Sequence, residues 1–257
     1  MQYDGVDMSR RIAGTDDSAI EVYLRCAQDI QKAIADKSAG DADYYFNVSN
    51  WSRVATGRWT ERRDKESQAS ALSCVHAVLD YFYGEWREQI ASPDGLRGID
   101  AWKPYCLWYE QVQRSLPFAS ALSDWEAVKK IAAYPPEDRL PEAAKAKGET
   151  AWGWALISYL RGKPRQKVEA FLAKAEGEKA KRPKLLAPVL RALMDEDANK
   201  FSDTLLAYLA YYRKSEFKTE LDKAIALDGT TLYHLGRKLG FKVELPEALA
   251  NHVVRFD

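Results

Sequence analysis

Ala155-Leu156-Ile157-Ser158-Tyr159-Leu160-Arg161-Gly162 and Pro188-Val189-Leu190-Arg191-Ala192-Leu193-Met194-Asp195 are two versions of one segment, and their relation decides the fold. Each reads as a helix running into a polar turn. Each is followed by a second helical stretch, Lys167 to Ala175 and Lys200 to Tyr212. The offset from Leu160 to Leu193 is about 33 residues, and the same shift carries Leu156 to Val189, Val168 to Phe201 and Leu172 to Leu205. Such a period belongs to helical hairpins, because one hairpin cannot bury its apolar face alone and neighbours must stack on it. Gly162, Asp195 and Gly240 fall where the chain reverses, and glycine tolerates the left-handed conformation that often ends a helix. Looser copies run from Phe118 through the Ser123-Asp124 turn to Ala132, and from Leu232 through Gly240 to Val253. The small and aromatic positions of true tetratricopeptide repeats are only partly present. The expectation is an all-α fold: a right-handed, tetratricopeptide-like stack of antiparallel helical hairpins (an α-solenoid or bundle) over residues 98–257.

Working back from the repeats, helical periodicity continues to the N-terminus. Thr15-Asp16-Asp17-Ser18 is a cluster of N-cap residues, and Ile20, Leu24, Ala27, Ile30 and Ile34 then share one helical face as far as Gly40. The aromatic-rich stretch from Asp41 to Val54 reads as a helix. A longer one is expected from Glu61 to Ile90, with Leu72, Val75, Leu79, Phe82, Trp86 and Ile90 as its buried stripe. Ser92-Pro93-Asp94-Gly95 is a strong break, so residues 1–92 form a long N-terminal helical module within a single domain, 1–257. After the break, Trp102, Tyr105, Cys106, Tyr109, Val112 and Leu116 form another stripe, with Pro104 near the helix start where its missing N–H matters least. No run of period-two alternation predicts a sheet.

The chain has 257 residues, with 38 Lys plus Arg balanced by 38 Asp plus Glu. A nucleic-acid binder usually carries a basic excess to displace counterions from phosphates, so the balance argues against one. No stretch reaches the roughly 20 apolar residues of a membrane helix, and Met1 to Val6 does not open a secretory signal. Cys26, Cys74 and Cys106 are far apart and odd in number, which suits free thiols in the cytoplasm.

Reactive constellations are scarce. The histidines are His76, His234 and His252. Cys74 and His76, two apart, point to different sides of a helix and cannot share a metal, so no metal site and no cofactor is expected. His76 falls in line with Leu72, Leu79 and Tyr83 and reads as a hydrogen-bonded histidine at the edge of the core. There is no nucleophile elbow, no catalytic cysteine signature and no phosphate loop, so no catalytic residue is assigned and the chain is read as a non-enzyme. Carboxylates cluster at Asp41-x-Asp43, Glu137-Asp138 and Asp195-Glu196-Asp197, in turns or helix starts where negative charge caps free N–H groups. The rings carry more information: 8 Trp and 14 Tyr, clustered at Tyr44-Tyr45-Phe46, Trp102 with Trp108, Trp152 with Trp154, and Tyr208 with Tyr211-Tyr212. Adjacent rings on a helix point about 100° apart, so a narrow stripe cannot bury a whole cluster and at least one should reach the surface. Tyr, Trp and Arg are also the residues that anchor protein interfaces. Asp41, Asp43, Tyr44, Tyr45, Asp195, Glu196, Asp197 and Tyr211 are the candidate partner-binding residues.

The order of the helices from Trp102 to Tyr134, Trp154 to Ala175 and Leu185 to Tyr212 resembles the immunity protein 49 family of bacterial polymorphic toxin systems. The ending is the nearest local likeness: Leu232-Tyr233-His234-Leu235-Gly236-Arg237-Lys238-Leu239-Gly240-Phe241-Lys242-Val243, then Leu245-Pro246. The likeness spans residues 60–250 and brings no catalytic signature with it. It implies an immunity protein that neutralises a cognate toxin by direct contact. A helical-repeat adaptor or chaperone that binds peptide segments along its concave face is the alternative, and a homodimer through an exposed aromatic face is compatible with either.

Overall fold

Apolar residues recurring every three or four positions give helices throughout the computed structural model, which describes residues 16–84, 104–134, 148–177, 179–214 and 224–256. The first helices are α1 (Asp16–Ala35), α2 (Asp41–Thr60) and α3 (Asp64–Tyr83). α4 (Pro104–Ala121) and α5 (Trp125–Ala133) follow, then α6 (Gly148–Leu160), α7 (Arg165–Glu176), α8 (Lys181–Met194) and α9 (Ala198–Lys214). α10 (Leu227–Lys238) and the short α11 (Glu247–Ala250) complete the chain. Among the described residues there is no strand, as the sequence predicts.

Three boundaries of α2 and α3 differ from expectation. α2 runs on past Val54 to Thr60, and the helix expected from Glu61 starts at Asp64. Arg62 takes a left-handed φ of 61° and turns the chain between them. At the other end α3 stops at Tyr83, where Gly84 turns extended. Trp86, Ile90 and the Ser92–Gly95 break lie outside the described residues. The stripe also shifts: Val75 and Phe82 are buried, but Leu72 is 43% exposed and His76 is exposed with it. The side of α3 that meets α2 instead carries Ala71, Cys74 and Val78, smaller residues that let the two helices come close.

One turn geometry recurs. Lys37, Arg62, Ser123, Gly162, Glu196 and Gly240 all have positive φ. At each, the residue's own N–H donates three positions back and the next N–H donates five back, as in Glu196 to the Leu193 carbonyl (3.2 Å) and Asp197 to the Ala192 carbonyl (3.0 Å). This is the Schellman arrangement, which satisfies carbonyls that a helix end leaves orphaned. It corrects the expected turn residue of the α8–α9 hairpin: Asp195 is right-handed, and Glu196 is the residue that turns left.

The internal repeat reappears as burial. Leu156 and Val189, Val168 and Phe201, and Leu172 and Leu205 are all buried. α6 lies among α4, α5, α7 and α8 and is buried on every side from Ala151 to Ser158. Trp152 and Trp154 are therefore 1% and 2% exposed, because a central helix has no narrow stripe for one of them to escape. The Tyr44-Tyr45-Phe46 cluster does reach the surface: Tyr44 is buried, Tyr45 half-buried and Phe46 52% exposed. The side chains of Trp102 and Trp108 lie outside the described residues.

A stack in which each hairpin met only its neighbours would hold the two ends of the chain apart. Here α10 packs along α4, and the segment after α11 reaches α2. Trp59 Nε1 donates to the Asn251 carbonyl (3.3 Å), Arg62 Nη2 donates to Asn251 Oδ1 (2.7 Å), and the Phe256 ring meets Trp59 edge-on at 6.0 Å.

Candidate functional site

α2 is not amphipathic in the ordinary way. It buries Asn47, Ser49, Asn50, Ser52 and Thr56 as well as Val48, Val54 and Ala55. Polar groups leave water at a cost unless they find partners, so such a face usually answers to something besides the core. Ser52, Arg53 and Thr56 of α2 line a cleft of about 290 Å³, Thr56 lying three or four residues on from the other two. Glu110, Gln113 and Arg114 of α4 line it as well, Glu110 three or four residues before the other two. Arg182 from the first turn of α8, Tyr212 of α9, and Ile225 and Leu227 at the start of α10 close it.

Most of these side chains are fixed. Arg114 donates to Glu110 Oε1 through Nη2 (2.8 Å) and Nε (3.1 Å), and the Tyr45 hydroxyl donates to Glu110 Oε2 (2.8 Å). Burial, then the neighbouring Glu110 carboxylate, pushes the Tyr45 hydroxyl pKa well up, so Tyr45 stays a donor. Arg182 is held by two carboxylates, Glu149 and Asp228. These three come from the first turns of α6, α8 and α10. An arginine at a helix start opposes the helix dipole, and the two carboxylates offset both the guanidinium and the dipoles. Asp228 is 3% exposed and also accepts from Gln113 Nε2 (3.4 Å). Glu149 titrates above its ordinary value because of burial, opposed by Arg182 and assisted by Asp228. The Tyr212 hydroxyl donates to the Ile225 carbonyl (2.6 Å), and Ala226 N–H donates to the His252 carbonyl (2.7 Å), which anchors the start of α10.

Arg53 differs from the other two arginines. Its Nη1 donates to Ser49 Oγ (3.1 Å), and its guanidinium lies 5.0 Å from the centre of the Tyr23 ring. Among the described residues it has no carboxylate partner.

The predicted partner-binding residues divide between two places. Tyr45 reaches the cleft through Glu110, and Tyr211 sits beneath the Lys181 ammonium, 5.2 Å from its ring centre, next to Arg182. Asp195, Glu196 and Asp197 occupy the far end of α8, about 20 Å from Arg182 at 1.5 Å per residue. Asp195 pairs there with Arg165 (2.6 Å) and Lys200 (3.6 Å), and Asp197 Oδ1 accepts the Lys200 N–H (2.9 Å). Asp43 Oδ2 accepts the Gly40 N–H (2.8 Å), Tyr44 lies in the core, and Asp41 is the first residue of α2. The acidic cluster and Asp43 thus spend their charge on capping and hairpin contacts. Arg53, Arg114, Arg182, Gln113 and Asp228 do not stand out in the sequence because no motif joins residues from α2, α4, α8 and α10.

Elsewhere the chemistry is quiet. Cys74 is buried between the Val48 and Arg114 carbonyls, and burial pushes its thiol pKa up to about 12, so it stays protonated at neutral pH. His76 is exposed rather than at a core edge; His234 is the buried histidine, its Nε2 2.7 Å from the Val254 carbonyl. No grouping of three potential metal ligands occurs among the described residues, and no helix there is long and apolar enough to cross a membrane. No family model, curated protein or solved structure matches the chain.

Proposed function

We propose that this protein acts by binding a partner protein at the α2–α4–α8–α10 cleft, and that the partner is a bacterial toxin which it neutralises. The observation that carries this is the cleft itself. It is lined by arginines and tyrosine and held by the Arg114–Glu110–Tyr45 and Glu149–Arg182–Asp228 networks. Arginine and tyrosine supply much of the energy of protein interfaces, and groups fixed in advance lose less entropy on binding. The toxin follows from the likeness of residues 60–250 to the immunity protein 49 family, with α4 to α9 as its tetratricopeptide-like run of hairpins.

The cleft is at the small end of ligand pockets, which favours a few side chains of one docked partner over the extended peptide an adaptor would take. The test is co-expression. The gene immediately upstream in the source genome should encode a protein that kills when expressed alone. This chain should rescue growth and co-purify with it in fixed stoichiometry, and Arg53→Glu should abolish rescue while leaving the helical content unchanged. Failure of the native chain to rescue, or many weak partners in place of one, overturns the toxin reading.

A further inference from the structure

We propose that the cleft is a site for an organic oxyanion, a carboxylate or phosphate carried on an apolar body. Arg53, Arg114 and Arg182 line it together with the carboxylate of Glu110, and two further carboxylates, Glu149 and Asp228, pair with Arg182. Both oxygens of the Glu110 carboxylate are engaged, one by Arg114 and one by Tyr45. Asp228, behind the wall, is engaged by Arg182 and Gln113. The cleft's own negative charge is therefore already matched, and Arg53 is left with the Ser49 hydroxyl and the Tyr23 ring. A guanidinium has five N–H donors in a fork that fits a carboxylate or phosphate edge.

The half-buried Arg53 and Arg114 work where solvent screens less than at the surface. Tyr212, Ile225 and Leu227 also line the cleft and give it an apolar surface that a bare inorganic anion would leave unused. The geometry therefore selects a ligand with a charged head toward Arg53 and Arg114 and a ring or aliphatic body toward α10. This follows from the lining alone. It stands whether or not the docked partner is a toxin, and a partner could present the same chemistry through an acidic side chain.

Isothermal titration of the full chain with benzoate, phenyl phosphate, inorganic phosphate and neutral benzyl alcohol, at constant ionic strength, tests it. Benzoate or phenyl phosphate should bind saturably at one site and more tightly than inorganic phosphate, with benzyl alcohol silent. Which of the two is tighter identifies the head group. Arg53→Gln should weaken binding about tenfold or more, and Arg53→Lys, which keeps the charge and loses the fork, should fall between. Thermal unfolding of both variants without ligand should match the native chain. The proposal is overturned if no anionic probe saturates, if benzyl alcohol binds equally well, or if anion binding survives Arg53→Gln unchanged. If the anions fail to bind while partner capture still depends on the cleft, the docking site stands and the oxyanion chemistry is wrong.

Discussion

α6 and α2 are both central helices, yet they bury opposite chemistry. α6 hides an unbroken run from Ala151 to Ser158 that includes two tryptophans, enclosed by α4, α5, α7 and α8. α2 hides Asn47, Ser49, Asn50, Ser52 and Thr56, and part of that face opens on a cleft ringed by arginine. Apolar burial of the first kind stabilises a fold at about 25 cal/mol per Å². Polar burial of the second kind returns little to stability and is where a protein departs from the rules that make it fold. The difference separates scaffold from site without reference to any motif.

The scaffold half of that contrast breaks most easily at Trp152. Trp152→Ala should cost about 3–5 kcal/mol, read from the urea midpoint, since the ring is 1% exposed and its surroundings can collapse only in part. Next comes Gly236. An added Cβ would stand 2.4 Å from Phe201 Cε1, and Phe201 is itself fully buried, so Gly236→Ala should cost about 1–3 kcal/mol. Gly57→Ala meets only the flexible Ile20 side chain and should cost less.

On the polar side, Gln111 is completely buried in α4 with neither amide atom hydrogen-bonded. Gln111→Met keeps the shape, removes both unpaired atoms and should raise stability by about 1 kcal/mol. A smaller gain, about 0.5–1 kcal/mol, is expected from Glu196→Gly, which relieves a left-handed φ of 53°.

Two aspartates give the contrast a pH signature. Burial raises the Asp80 pKa in α3, whereas hydrogen bonding to Arg165 lowers that of Asp195 in the α8–α9 turn. A raised folded-state value favours the fold below the unfolded pKa and loses that contribution as pH rises through the folded one. A lowered value does the reverse: its contribution is present above the unfolded pKa and is lost as pH falls through the folded one. Carboxyl carbon NMR titration should therefore find Asp80 above and Asp195 below the ordinary carboxylate midpoint. Equal midpoints would erase the distinction.

Much of the scaffold is legible in the amino-acid sequence. The offset pairs Val168 with Phe201 and Leu172 with Leu205, and all four are buried. Helix ends are less legible. Arg62 and Glu196 adopt conformations that glycine usually takes, so nothing in their side chains marks the turns. The expected stripe of α3 fails at Leu72, and His76 is exposed instead of at a core edge, because the helix buries a small-residue face that hydropathy alone does not reveal. The cleft is illegible for a different reason. Its residues are ordinary one at a time and meet only through packing of helices distant in sequence. Tyr45, marked in the sequence by its ring, hydrogen-bonds the lining residue Glu110, but neither it nor Tyr211 lines the cleft.

The clasp of Asn251 and Phe256 on Trp59 and Arg62 changes how the molecule comes apart. An open array can fray from either end, one hairpin at a time. Here the segment after α11 is fastened to α2, so the end of the described fold cannot loosen without disturbing its beginning. Heat and denaturant should dismantle it in one cooperative step seen alike by every spectroscopic probe, and Trp59→Ala should split that step in two.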